Sequence, residues 1–202
     1  MMIPDLDNYF RGFVPARDNL LQELEEEARR EQIPIVGPVV GELLYILASA
    51  TQAQNILELG TATGYSTLYL ARACEARQGR VITVEWSESL AARARANFVR
   101  AGVDGLVEIR VGGAQEVLAG LSGPFDLLFM DIDKEGYLPA LDQCQRLLKK
   151  NGLLVTDNVG FRGAADFNQA IFNRSQWRVV PLLCLLPQHS PEKDGLSLAL
   201  RV

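Results

Sequence analysis

The sequence predicts an α/β fold, a seven-stranded and mostly parallel β-sheet with helices on both faces and an antiparallel strand at its C-terminal end. Strand-like and helix-like segments alternate from Asn55 to Thr156, which is the pattern of a parallel sheet covered on both faces. Near the C-terminus, Trp177–Leu186 and Leu196–Val202 are predicted strands whose connecting loop is too short for a parallel crossover, so they should be antiparallel. The 202 residues, 48% of them hydrophobic, suffice for one globular domain.

Two helices are predicted before the sheet. The first should begin near Pro15, because proline is favoured in a first helical turn. Its apolar residues recur at helical spacing, at Leu20, Leu21, Leu24 and Ala28. Glu25 and Arg29 are four residues apart and are expected to pair on the exposed face of this helix. The second helix, Val39–Ala50, is mostly apolar and should be buried.

The alternating part of the chain predicts five strands and four helices, and a fifth helix is predicted after it. The strands are expected at residues 55–59, 80–86, 107–111, 125–131 and 153–156. The helices are expected at residues 65–76, 87–100, 114–121, 138–150 and 164–172. Lys149, Lys150 and Gly152 should end the helix that begins at Leu138, because cations and a left-handed glycine are favoured at helix C-termini.

The composition argues against several kinds of partner. With 20 Lys and Arg against 25 Asp and Glu, the net charge of −5 offers no attraction to nucleic acid. The longest stretch without a charged residue, Leu43 to Leu57, is shorter than a membrane span, and Asp5 interrupts any secretory signal. We therefore expect a cytoplasmic protein with neither a nucleic acid nor a membrane partner.

The cysteine and histidine content limits the possible metal chemistry. Cys74, Cys144 and Cys184 lie far apart in the sequence and are expected to be buried thiols. His189 is the only histidine, which excludes zinc sites built from two or three imidazoles.

A glycine pair follows the first predicted strand. Gly60 and Gly64 would let the chain turn sharply and let a ligand approach the backbone. This spacing is not that of the dinucleotide fingerprint, G-x-G-x-x-G, and a tight turn that binds nothing explains the pair equally well. Glu85, however, closes the second strand, where an acid can accept hydrogen bonds from two ribose hydroxyls. The glycine loop and Glu85 together indicate a nucleoside-containing cofactor.

Two further residues, Glu58 and Trp86, are candidates for the same site. Glu58 interrupts an apolar run, where a carboxylate is costly to bury without a partner, and a cationic ligand group would supply one. Trp86 directly follows Glu85 and either packs in the core or lies against an adenine ring.

Oxygen-bearing side chains follow the fourth and fifth predicted strands. Asp131, Asp157 and the amide of Asn158 should meet at the same edge of the sheet. Each acid alone would more commonly cap a helix. Three hard oxygen donors together suit Mg²⁺, and also Mn²⁺ or Ca²⁺.

Four segments resemble one known family. The stretches ILELGTATGYS (56–66), VITVEW (81–86), FDLLFMDIDKEGY (125–137) and VTDN (155–158) closely resemble the cation-dependent O-methyltransferases of the catechol and caffeoyl-coenzyme A type. The resemblance runs from the N-terminal helices to the final strand. It implies an S-adenosylmethionine-dependent O-methyltransferase that acts on a small vicinal-dihydroxy aromatic, with a Rossmann-like class I methyltransferase fold. The single domain would comprise N-terminal helices (1–53) and a core (54–202), and we further expect a homodimer.

The resemblance also assigns roles to residues. It implies that Asp131, Asp157 and Asn158 hold a divalent cation, that Lys134 is the general base and that Asn158 also touches the substrate hydroxyl. Without the resemblance, Lys134 would be a surface lysine paired with a neighbouring acid. The implied cofactor contacts, together with Trp86, are Val36, Glu58, Gly60, Thr61, Ser66, Glu85, Ala114, Asp131 and Asp133.

The sequence departs from the family where an acceptor would bind. Phe161 stands where the family often has Trp, and the usual P-x-G-D-G turn is replaced by the longer segment 187–195. We expect His189, in this segment, to be a loop residue near the acceptor entrance and not a base, because polar loops hold proton-transfer geometry poorly. Two other hypotheses are a nicotinamide-dependent reductase, which would want a third glycine, and a non-catalytic methyltransferase-fold binding protein, which would not need the three oxygen donors.

Overall fold

The computed structural model describes all 202 residues and contains eight α-helices and seven β-strands. The helices are α1 (Leu6–Arg11), α2 (Asn19–Glu31), α3 (Gly37–Ala50), α4 (Tyr65–Glu75), α5 (Glu88–Ala101), α6 (Ala114–Gly120), α7 (Tyr137–Leu147) and α8 (Ala165–Asn173). The strands are β1 (Asn55–Leu59), β2 (Arg80–Glu85), β3 (Val107–Val111), β4 (Phe125–Met130), β5 (Leu148–Thr156), β6 (Trp177–Leu185) and β7 (Lys193–Arg201).

The strands form one sheet in the order β3-β2-β1-β4-β5-β7-β6. The first five strands are parallel, and β7 is antiparallel to both of its neighbours, β5 and β6. The predicted mixed sheet is therefore confirmed. The strand order reverses between β1 and β4, so a crevice forms beyond their carboxyl ends, which is where ligands bind in open α/β sheets.

The two faces of the sheet bury separate apolar clusters. Side chains from α2 to α5, such as Leu24, Leu44 and Phe98, pack on one face. Side chains from α6 to α8, such as Leu141 and Phe167, pack on the other. This confirms helices on both faces, and it holds the carboxyl ends of the strands in a rigid frame. None of the helices is both long enough and apolar enough to cross a membrane.

The N-terminal region differs from its prediction in three respects. Helix α1 was not predicted, and α2 begins at Asn19 and not near Pro15, because the Asp18 carboxylate caps it by accepting from Leu21 N at 2.9 Å. Glu25 does not pair with Arg29 on an exposed face. It is buried and accepts hydrogen bonds from Arg17 at 2.9 Å and Tyr65 at 2.6 Å.

The predicted end of α7 is wrong. The helix stops at Leu147, and Lys149 and Lys150 already lie in β5. Asn151, with φ of 62°, takes the left-handed conformation that was expected of Gly152. Asparagine tolerates this conformation, so the left-handed residue falls one position earlier than the glycine suggested and lies inside β5.

Candidate active site

A cavity of about 590 Å³ lies over the carboxyl ends of the strands. Its size falls within the range of small-molecule sites. The predicted site residues that line it are Val36, Gly60, Thr61, Ser66, Glu85, Trp86, Ala114, Asp131, Asp133, Lys134, Asp157 and Asn158. Glu58 is the one predicted site residue that does not line it. Predicted site residues from position 36 to position 158 thus meet around one space.

The loop after β1 is bent by its two glycines. Gly60 has φ of +99°, and a Cβ there would lie 1.9 Å from the backbone oxygen of Asp131. Gly64 has φ of +89° and packs against the ring of Phe98. Both positions therefore exclude a side chain, which brings the loop backbone close to the end of β4 and into the cavity wall.

Glu58 lies beneath this loop and is completely buried. Its Oε2 accepts hydrogen bonds from the hydroxyls of Thr67 and of Thr83, the latter at 2.6 Å, while Oε1 has no partner. Burial raises the pKa of Glu58 from 4.5 to about 7, against the opposing effect of the nearby hydroxyls. An unpaired carboxylate oxygen at this depth favours a positively charged group nearby.

Glu85 and Trp86 form the far end of the cavity. The Glu85 carboxylate accepts from the backbone nitrogens of Ala62 at 2.8 Å and Ser87 at 2.9 Å, so its orientation is fixed while lone pairs remain for a ligand. Trp86 is 78% exposed, which rules out the core-packing alternative. Its ring is available to lie against a flat ligand group.

Lys134 and Asp131 form an ion pair at the other end of the cavity. Lys134 Nζ lies 3.0 Å from Asp131 Oδ1 and also donates to the backbone oxygen of Ile132. Lys134 is thus not the surface lysine, paired with Asp133 or Glu135, that the sequence alone allowed. Burial and the neighbouring Asp157 carboxylate raise the pKa of Asp131 above its usual value.

Asp157 is fully buried and pairs with His189. His189 Nε2 lies 2.9 Å from Asp157 Oδ2, and both side chains are almost inaccessible to solvent. Burial by itself lowers the pKa of an imidazole, but the hydrogen bond and charge of Asp157 outweigh it and raise the pKa of His189. His189 lies in a loop that lines the cavity, as predicted, but it is a buried partner of a predicted metal ligand and not a solvated entrance residue.

Asn158 is oriented by Asp194, a residue without a predicted role. Asn158 has φ of 51°, and its Nδ2 donates to Asp194 Oδ2 at 2.7 Å. Asp194 Oδ1 also accepts from the backbone nitrogens of Gly160 and Gly195. With Nδ2 committed to Asp194, the amide oxygen Oδ1 of Asn158 is the atom that remains for a ligand. Asp194 belongs to the Asp-Gly pair of the altered turn, which was the available sequence signal.

The oxygen donors of Asp131, Asp157 and Asn158 are chemically suited to a divalent cation. Two close carboxylates whose mutual repulsion already raises the pKa of Asp131, together with a free amide oxygen, are hard ligands that favour such an ion. Lys134 and His189 are the hydrogen-bonding partners of these carboxylates in the structure. The acidic, histidine and cysteine side chains do not themselves converge on one point in groups of three or more.

Comparison with known proteins identifies the family. A model of the O-methyltransferase family matches residues 14–180. The chain belongs to this family. A catechol O-methyltransferase of Niastella koreensis is 39% identical over 160 residues, which cover 76% of this chain and 72% of that protein. A catechol O-methyltransferase of Mycobacterium tuberculosis is 38% identical over 159 residues, which cover 77% of this chain and 72% of that protein.

Solved structures of other O-methyltransferases share the fold. The O-methyltransferase TomG of Streptomyces achromogenes, in complex with SAM, superposes with a TM-score of 0.87 at 31% identity, covering 98% of this chain and 96% of TomG. An O-methyltransferase of Bacillus cereus, in complex with SAH, gives a TM-score of 0.87 at 29% identity, covering 98% of this chain and 97% of that one. The chain is therefore an enzyme of the O-methyltransferase family with the Rossmann-like methyltransferase fold predicted from its sequence.

Proposed function

We propose that this O-methyltransferase transfers a methyl group from S-adenosylmethionine to one hydroxyl of a small catechol-like acceptor, with the help of a divalent cation. The observation that carries the proposal is the single cavity that joins two kinds of residue. One half has the glycine loop, Glu85 and Trp86, and the other half has Lys134 and the oxygen donors. Relatives named catechol O-methyltransferases and structures of relatives in complex with SAM and SAH support both halves.

The cofactor half suits a charged nucleoside. S-adenosylmethionine supplies a methyl group on a positively charged sulfur. The carboxylate of Glu85, held by two backbone nitrogens, would accept from the ribose hydroxyls, and the exposed ring of Trp86 would cover the adenine. The unpaired Oε1 of Glu58 would favour the amino group of the methionine portion, across the loop of Gly60 and Ser66.

The acceptor half suits two adjacent hydroxyls. Asp131, Asp157 and Asn158 would hold the cation, which when bound supplies the positive charge that favours the ionised form of an acceptor hydroxyl. Asp194 holds the Asn158 amide so that its oxygen is the available atom. Lys134, in its neutral form, would take the hydroxyl proton at Nζ. In the structure, Lys134 forms an ion pair with Asp131 Oδ1. Lys134 can therefore accept a proton only when Asp131 binds another group instead.

Calorimetry tests the cofactor half. S-adenosylhomocysteine should bind and E85Q should weaken its binding, whereas NAD and NADP should give no heat. Binding of NADP without S-adenosylhomocysteine would instead support the reductase hypothesis.

An acceptor panel tests the other half. Catechol-type diols should be methylated in the presence of Mg²⁺, and the matching monohydroxy phenols should react poorly, because they cannot present two adjacent oxygens to one ion. Equal rates for catechol and phenol would contradict this acceptor class. Normal S-adenosylhomocysteine binding with no turnover on any acceptor would point to the non-catalytic alternative.

A further inference from the structure

The ring of His189 lies between two hydrogen-bond acceptors. Nδ1 is 2.8 Å from the backbone oxygen of Pro191, and Nε2 is 2.9 Å from Asp157 Oδ2. Both oxygens can only accept, so a neutral ring, which has one N–H, satisfies only one of them. With that N–H on Nδ1, Nε2 directs its lone pair at a carboxylate. This contact is favourable only when a positive species, a proton or a metal ion, is shared between Nε2 and Asp157.

The loop around His189 holds the ring in place. His189 N donates to Leu186 O at 2.9 Å, and Leu186 N donates to Glu192 O at 2.7 Å. The Glu192 carboxylate also accepts from Gln188 N and from Arg11. The loop backbone is therefore held on both sides of His189, and the ring itself is held by Pro191 O and Asp157 Oδ2.

The geometry of the pair also suits two neighbouring metal ligands. Adjacent ligands of an octahedral ion with bonds of about 2.1 Å lie about 3.0 Å apart, close to the observed 2.9 Å between Nε2 and Oδ2. A metal-binding histidine typically donates its other ring N–H to a carboxylate or a backbone carbonyl, which is what Nδ1 does at Pro191.

We propose that His189 Nε2 is a further ligand of the cation, beside Asp157. This inference rests on the proposed cation site, and ion binding would replace the proton on Nε2, which leaves to solvent. An imidazole nitrogen adds little affinity for Mg²⁺ but favours transition metals such as Mn²⁺ and Co²⁺. The site would thus be a mixed nitrogen and oxygen site that selects a transition metal over Mg²⁺.

The single histidine makes a direct test possible, because a tag-free protein grown with ¹⁵N-histidine carries the label at His189 alone. Mn²⁺ bound to this protein should show electron spin echo modulation from a directly coordinated ¹⁵N nucleus, which changes to ¹⁴N modulation in unlabelled protein. Bound Mn²⁺ without histidine modulation would overturn this inference and leave the proposed function standing. A wild-type protein that binds no Mn²⁺ would overturn the cation site and this inference together.

Metal titrations of variants give an independent readout. H189Q keeps a donor toward Asp157 and removes the imidazole, so it should lose about tenfold or more in affinity for Mn²⁺ and Co²⁺ while Mg²⁺ affinity changes less than about threefold. Ser190→Ala, on an exposed neighbour in the same loop, should change neither. An equal loss for all three metals in H189Q would mean that His189 only positions Asp157. The echo measurement uses the wild-type protein and remains decisive if H189Q does not fold.

Discussion

Replacing Glu58 with glutamine should change how the stability of the enzyme depends on pH. The glutamine side chain has nearly the same size but cannot ionise, so E58Q removes the charge and keeps the packing. Glu58 is completely buried, and its pKa is raised from 4.5 to about 7. Folding therefore favours the protonated form of this side chain.

The sign and size of the effect follow from the two pKa values. A group whose pKa is raised by folding contributes its full stability below the ordinary pKa and loses it as the pH rises through the folded value. The interval from 4.5 to about 7 corresponds to about 3 kcal/mol at about 1.4 kcal/mol per pH unit. Most of this loss, about 2 kcal/mol, should fall between about pH 5 and about pH 7.

Urea denaturation of both proteins, without cofactor, measures the effect. The free energy of unfolding of the wild type should fall relative to that of E58Q as the pH rises from 5 to 7, and the two curves should run parallel above about pH 8. The comparison cancels the titration of other groups, since both proteins share them. Parallel curves between pH 5 and pH 7 would refute the inference that Glu58 is protonated by its burial.

Three other substitutions test the acceptor half. Asp157→Ala should abolish cation binding measured by calorimetry yet leave S-adenosylhomocysteine affinity within about threefold, because the cofactor contacts lie on other strands. An equal loss of cation affinity and S-adenosylhomocysteine affinity would contradict the division of the cavity into two halves. Lys134→Met should lower kcat about 10²-fold or more with little change in KM for the acceptor, as expected for a lost base; near-normal kcat would assign the base elsewhere. Asp194→Ala should cost about 2–5 kcal/mol in urea denaturation, because three donors lose their buried acceptor; a loss below about 1 kcal/mol would mean that water replaces it.

The parts of the site that could be predicted were those encoded by neighbouring residues. Glu85 ends an apolar strand, Asp131 and Asp157 each follow one directly, and parallel strands bring their carboxyl ends to one edge. The two glycines of the β1 loop were equally local signals. For these residues, the strand pattern was sufficient to place the side chains around the cavity.

The contacts that were missed join residues far apart in the chain. The pairs His189 with Asp157 and Asp194 with Asn158 are separated by 32 and 36 residues, and both depend on the conformation of an irregular loop or its edge. Composition showed that His189 was the only histidine but could not show that the loop turns it inward. Likewise, no local pattern distinguished an exposed Trp86 from a buried one.

Methyl transfer in a verified metal-free enzyme tests the central claim most directly. The enzyme is stripped with a chelator, its metal content is measured, and methylated catechol is quantified by mass spectrometry with and without added Mg²⁺ or Mn²⁺. We expect product formation to fall to the background rate in the stripped enzyme and to return on addition of either ion. Full activity in the metal-free enzyme, on the same acceptor, would contradict the claim and leave Lys134 as the group that activates the hydroxyl.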